Sequence, residues 1–230
     1  MPHSTPGAGR RVALFIDGWN LKYAAYDGLG LRIDYTKFLD YLTNGGILIR
    51  AYYYIGEWDD RSVEDYLNMG GFTDQESFGR EKTRLLNLQA GQQRFYRFLS
   101  RNGYRVIRKA IRIRRTRDGR LDTKADLDLE LAIDMLTLAD RCDRQILVSG
   151  DGDFAPLVSA LGERGVRTVV VSSQSDEAWV RASFRASDEL LDVADEFIEI
   201  ATIRQHIERP GPVTEATDGP PTVIEEAITA

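Results

Sequence analysis

Three aspartates in this chain of 230 residues stand where their carboxylates could converge on a cation. Asp17 ends the apolar run Val12-Ala13-Leu14-Phe15-Ile16 and is followed by Gly18-Trp19-Asn20. Asp151 follows Gln145-Ile146-Leu147-Val148-Ser149-Gly150 and precedes Gly152-Asp153-Phe154. Asp126, in Thr123-Lys124-Ala125-Asp126, stands at the start of a helical pattern. With Asp153 they make an acidic set at strand ends and Gly-containing turns, a placement that collects Mg²⁺ or Mn²⁺ and suits chemistry on phosphates. One or two such ions neutralise non-bridging oxygens, generate hydroxide near neutral pH and stabilise a leaving alkoxide. The only histidines, His3 and His206, lie far in sequence from these segments. A histidine acid–base pair, which needs imidazoles in the pocket, is therefore poorly served.

Each acid also has a plainer role. Asp17-Gly18 would serve as a strand-exit turn, although an Asp directly after Leu14-Phe15-Ile16 is costly to leave unpaired. Asp126 suits the positive end of its helix. Asp153, ahead of Phe154-Ala155-Pro156, is a natural N-cap with Pro in the first turn, and would serve a metal only through water. Glu130 and Asp134 follow Asp126 at steps of four and share its helix face. Asp134 is expected to support the site and Glu130 to be a solvated charge.

The elements that must position these side chains read as α/β. Apolar runs bounded by turns alternate with helical patterns, which points to a mostly parallel, doubly wound sheet covered on both faces. Val12–Ile16 is the first strand, Asp34 caps a helix over Tyr35–Leu42 that stops at Asn44-Gly45-Gly46, and Ile47–Ile55 is the second strand. From Gly56 to Gly79 no clean period is present, and a long loop is expected. Gln89–Arg101 reads as helix, Tyr104–Ile113 as strand and Asp118-Gly119 as a turn. Ala125–Leu138 (helix), Gln145–Ser149 (strand), Phe154–Arg164 (helix) and Thr168–Ser172 (strand) follow, with Phe197–Ile200 as a last strand. In such sheets ligands bind beyond the carboxyl ends of the strands, where the strand order reverses, so the turns of Asp17 and Asp151 should meet. Trp58 and Tyr52-Tyr53-Tyr54 read as packing residues.

Composition narrows the class. The chain is 43% hydrophobic with a net charge of −6, enough for one sizeable domain and unlike a polycation. Cys142 is the only cysteine, so disulfides within the chain and structural zinc are excluded. No apolar stretch is long enough to span a bilayer and no secretory leader is evident, so a cytoplasmic protein is expected. Residues 1–9 read as a flexible leader, 10–208 as the domain and 209–230, with its prolines, as a disordered tail. Association into a homo-oligomer is left open.

One stretch departs from the acidic average. Arg105, Arg108, Lys109, Arg112, Arg114, Arg115, Arg117 and Arg120 are opposed only by Asp118, eight cations against one acid, a net of +7. Such a stretch could track a phosphate backbone, with Trp19, Tyr23 or Tyr26 available for base stacking. It would equally suit an edge strand protected from aggregation by its charges. Lys124 could pair with a phosphate or with the neighbouring acids.

The segments Phe15-Ile16-Asp17-Gly18-Trp19-Asn20, Lys124-Ala125-Asp126 with Asp134-Met135-Leu136, and Ser149-Gly150-Asp151-Gly152-Asp153-Phe154 with Pro156-Leu157-Val158 resemble the NYN family of the PIN-like nuclease superfamily, most closely its LabA-type bacterial branch. The resemblance runs from about Arg11 to Ile200. It implies a Rossmann-like fold whose acidic residues bind Mg²⁺ or Mn²⁺ to cut RNA, expected to be single-stranded, leaving a 5′-phosphate and a 3′-hydroxyl. Carried over residue by residue, Asp17, Asp126, Asp151 and Asp153 match the acidic set, Asn20 the polar residue of the first motif and Ser149 the hydroxyl of the third. Lys124, Arg108, Arg112, Arg114 and Arg115 are the expected RNA contacts. The competing expectation is an idle NYN-fold module that binds RNA or protein, since LabA-type relatives resemble regulators. A phosphatase or a nucleotide-binding Rossmann enzyme fits less well: Trp19 stands where haloacid-dehalogenase phosphatases need a second Asp, and no G-x-G-x-x-G or Walker loop follows the first strand.

Overall fold

A computed structural model of the chain describes residues 9–174 and 185–210. The expected leader and tail lie outside the described residues, apart from Gly9, Arg209 and Pro210. In chain order the elements are β1 (Arg11–Asp17), α1 (Gly18–Leu21), α2 (Tyr35–Thr43), β2 (Ile47–Glu57), α3 (Asp60–Met69), α4 (Gln75–Arg101), β3 (Tyr104–Ala110), β4 (Arg112–Arg115), β5 (Leu121–Lys124), α5 (Asp128–Leu138), β6 (Arg144–Val148), α6 (Ala155–Glu163), β7 (Arg167–Ser172), α7 (Asp188–Val193), β8 (Glu196–Glu199) and α8 (Arg204–Ile207).

Six strands form one parallel sheet in the order β3-β2-β1-β6-β7-β8, while β4 and β5 make a separate antiparallel ribbon. With the ribbon set aside this is the doubly wound order 3-2-1-4-5-6. The chain starts in the middle at β1, winds outward through β2 and β3, then returns to β6 and winds the other way. The reversal falls between β1 and β6, and a crevice opens there at the carboxyl ends of the strands. The α/β, Rossmann-like architecture expected from the sequence is the one observed.

β1 shows why the sheet is covered on both faces. Val12, Leu14 and Ile16 pack into one apolar layer, with Phe38 and Leu42 of α2 and Phe95 and Leu99 of α4. Ala13 and Phe15 pack into the other, with Leu131 and Met135 of α5 and Leu157, Val158 and Leu161 of α6. Alternate side chains point to opposite faces, so a strand buried on both must be apolar throughout. Burying each large side chain contributes about 1.5–3 kcal/mol, and this fixes the position from which Asp17 emerges.

The expected loop from Gly56 to Gly79 is corrected. It holds α3 and the start of α4, which runs back to Gln75 instead of beginning at Gln89. Asp59 and Ser62 form a reciprocal cap, and Val63, Tyr66 and Leu67 lie at helical spacing on the buried face. Gly70 and Gly71 separate the two helices, and Asp74 caps the second. The apolar positions of α3 are buried by Trp58, Leu85, Ile111 and Ile113 in a third cluster, whose residues are too far apart in sequence to show as a period. The strand expected over Tyr104–Ile113 is likewise corrected. It stops at Ala110, and Ile111 and Ile113 turn into the third cluster, so the following strand leaves the sheet and pairs with β5.

Candidate metal centre at the sheet switch point

Asp17 ends β1, and its carboxylate caps α1: Oδ1 accepts from the backbone N–H groups of Trp19 and Asn20 at 3.1 and 3.2 Å. The Asn20 amide donates to Asp17 Oδ2 at 2.7 Å and accepts from the Gly150 N–H at 3.2 Å. Ser149 is buried, with Oγ 3.5 Å from Asp17 Oδ2, and it accepts the Asp151 N–H at 3.2 Å. Asn20 and Ser149 thus tie the ends of β1 and β6 together across the switch point, and the expected meeting of the Asp17 and Asp151 turns is observed.

Asp126 arrives from another direction. It follows the ribbon strand β5 and precedes α5, which begins at Asp128 and not at Ala125 as expected. Gly56 permits the approach: a Cβ there would stand 2.7 Å from Ala125 Cβ and 3.2 Å from Trp19 Nε1. Asp17, Trp19, Asn20, Tyr54, Lys124, Asp126, Asp128 and Asp151 line one cleft of about 190 Å³. Asp153 does not line it. This residue is exposed in the turn after Asp151, and its N–H donates to Asp151 Oδ1 at 3.0 Å.

The sequence reasoning passed over Asp128. It sits two residues after Asp126, its N–H donates to Asp126 Oδ1 at 3.3 Å, and its carboxyl is pushed up to about 7. Burial is the main cause, followed by the charges of Asp126, Asp17 and Asp151. Burial also raises Asp17, against the hydrogen bonds from Asn20 and Trp19, with the Asp151 charge adding to the rise. Asp126 moves the other way because Lys124 Nζ pairs with its Oδ2 at 3.1 Å. The signal in sequence was Asp126-Leu127-Asp128, legible only once the helix start was known.

Two neighbours on α5 differ in part from expectation. Asp134 accepts from Tyr54 OH at 2.8 Å and so braces a ring in the cleft wall, as a supporting group would. Glu130 is not a solvated charge: Lys109 Nζ binds its Oε1 at 2.6 Å, and Oε2 is buried without a partner among the described residues.

Among the described residues no three Asp, Glu, His or Cys stand close enough to enclose a metal ion. The donor set nevertheless fits a hard divalent cation in kind, being all oxygen with two carboxylates, Asp17 and Asp128, destabilised first by burial and then by neighbouring charge. Asp17, Asp151, Asp126 and Asp128 would hold the ion, with Lys124 leaving Asp126.

The expected RNA contacts divide. Arg108 binds Glu57 Oε2 at 3.2 Å and lies over the Tyr96 ring, and Arg115 binds the carbonyl oxygens of Met69 and Gly119. Arg112, Arg114 and Lys124 are exposed on the ribbon.

A family model described as the NYN domain matches residues 11–208. The chain is 29% identical over 214 residues to the low amplitude and bright protein LabA of Synechococcus elongatus, covering 90% of this chain and 94% of that protein. Its fold is similar to the crystal structure of a protein of unknown function from Vibrio parahaemolyticus, with a TM-score of 0.57, 24% identity, and coverage of 85% of this chain and 96% of that one. No helix among the described residues is long and apolar enough to cross a membrane. With the matched span covering the whole sheet and every residue of the cleft, the chain belongs to the NYN domain family, which is related to the PIN-like nucleases.

Proposed function

We propose that the protein is a metal-dependent ribonuclease that hydrolyses phosphodiester bonds of single-stranded RNA with Mg²⁺ or Mn²⁺ in the switch-point cleft. The observation that carries this is that Asp17, Asp126, Asp128 and Asp151 all line one cleft, with a single ammonium, Lys124, in its wall. Asp128, pushed up to about 7 by its burial and then by the charges of Asp126, Asp17 and Asp151, is costly to keep in the fold, and that cost is accepted where a cation is to be bound.

When bound, a divalent ion supplies Lewis acidity at the phosphoryl oxygen and a hydroxide at neutral pH. Asp17 and Asp151 bind from the two strand ends, and Asp126 and Asp128 from the ribbon side. Asn20 and Ser149 hold the first pair in register, and Asn20 orients a water or a phosphate oxygen. Asp153, outside the cleft, acts only through water. Lys124 neutralises a phosphate oxygen once it leaves Asp126.

The test is cleavage of single-stranded RNA by the purified protein with Mn²⁺ or Mg²⁺, compared with Asp17→Asn and Asp151→Asn. Both amides keep an oxygen to accept the cap bonds that the aspartates accept, so the fold should survive while cleavage is lost. Equal cleavage by wild type and both variants rejects the proposal. The spread of the carboxylates, no three of which enclose one point, favours a second reading, an idle NYN-fold module that binds RNA or protein. RNA binding without any products in either metal would select it.

A further inference from the structure

We infer that the β4–β5 ribbon is the guide for the RNA strand, and that a single strand runs over its solvent face past Arg114 and Arg112 to Lys124 and into the cleft. The inference rests on the ribonuclease reading for its chemistry but not for its binding.

The ribbon has two unlike faces. Ile113 of β4 is buried in the third apolar cluster, and Leu121 of β5 packs against it. Side chains alternate along a strand, so Arg112 and Arg114 point the other way, as do Asp122 and Lys124. The register sets Arg112 opposite Lys124 and Arg114 opposite Asp122. Among the described residues the side chains of Arg112 and Arg114 make no ion pair or hydrogen bond, whereas the cations of β3 are engaged. Lys109 binds Glu130, Arg108 binds Glu57, and Arg105 lies over the Tyr52 ring at 5.9 Å. The net +7 stretch is thus divided: the β3 cations bracket the sheet, Arg115 and Arg120 are engaged within the ribbon and its turn, and Arg112 and Arg114 keep side chains free for a phosphate backbone.

Position makes that charge useful. Lys124 both ends the track and lines the cleft, its Nζ 3.1 Å from Asp126. The packed underside, with Trp58, Val63 and Leu85, fixes the track to the α3–α4 lobe so that it does not swing as a free hairpin. Arg112 and Arg114 are about 7 Å apart along the strand, on the scale of successive phosphates in an extended polynucleotide. The track is a single row of cations, Arg114, Arg112 and Lys124, with Asp122 beside it, a width that matches one phosphate backbone. That geometry selects a single strand.

The test is fluorescence anisotropy with a labelled single-stranded RNA of mixed sequence, in EDTA so that nothing is cut, over a salt series. Arg112→Gln/Arg114→Gln is expected to weaken binding about tenfold or more. It should also lower the salt slope by about 1.4, at about 0.7 per cation on a single strand. Arg105→Gln is the control and should bind as wild type does. Equal binding by the double variant and wild type, an equal loss in Arg105→Gln, or tighter binding of the matched duplex overturns the guide. Cleavage by wild type in Mn²⁺ together with equal binding by the double variant would remove the guide and keep the nuclease. Ribbon-dependent binding with no cleavage would do the reverse.

Discussion

The Asn20 side chain holds Asp17 and the β6 loop at the same time: its amide donates to Asp17 Oδ2 at 2.7 Å and accepts from the Gly150 N–H at 3.2 Å. Asn20 is therefore one of two side chains, with Ser149, that tie the strand ends at the switch point, and it can be replaced without altering a carboxylate. Supporting partners of this kind change metal affinity or activity by about 10–100-fold. Asn20→Ala is expected to weaken Mn²⁺ binding by that factor in calorimetry. Unchanged affinity would show that the Asp17–Gly150 tie does not matter to the site.

Gly56 controls how close the Asp126 segment comes to the sheet. A methyl group at this position would press on Ala125 Cβ at 2.7 Å and on Ile111 Cγ1 and Trp19 Nε1 at 3.2 Å. Gly56→Ala should cost about 1–3 kcal/mol in urea denaturation and lower cleavage, as overpacking of a dense interior does. Gly56→Ala/Ala125→Gly should restore both. Wild-type stability in the single variant would refute the close approach.

The raised Asp128 carboxyl gives the site a pH dependence. The folded protein holds this proton up to about pH 7, while the unfolded chain releases it in the ordinary carboxylate range near 4. Between those values the folded state binds more protons, so metal-free stability falls as pH rises from about 4 to 7. A bound divalent ion must displace the proton below pH 7, so Mn²⁺ affinity should rise with pH up to about 7 and then level off. Calorimetry in buffers of different ionisation heat should detect the released proton. Asp128→Asn should flatten the profile, and an unaltered profile in that variant would assign the proton elsewhere.

Lys124 occupies the place of a cation beside Asp126, which raises the ammonium and lowers the carboxylate. Lys124→Met should therefore tighten Mn²⁺ binding while weakening RNA binding in EDTA. A loss of both would mean that the lysine supports the fold of the loop and does not compete with the metal.

Legibility from sequence followed the range of the interactions. β1, with five consecutive apolar residues before Asp17, and α2, with its Asp34 cap, are local patterns and were readable. So were Asp17 and Asp151, because strand ends at a switch point follow from element order. The α3–α4 lobe was not, since Val63, Tyr66 and Leu67 are buried by Ile111 and Ile113, more than forty residues away. The split of the basic stretch into β3 and the ribbon hinges on that same distant cluster. Asp128 was hidden for a local reason: a helix starting at Ala125 places it inside the helix, whereas the observed helix begins at Asp128 itself.

The central claim is that carboxylates from β1, β6 and the ribbon side share one divalent ion. Anomalous scattering from a crystal soaked in Mn²⁺ tests it most directly. A peak is expected in the cleft within coordination distance of Asp17 and Asp151 and of Asp126 or Asp128, with Lys124 turned away from Asp126. A soaked crystal with no peak in the cleft, and Lys124 still bound to Asp126, would contradict it.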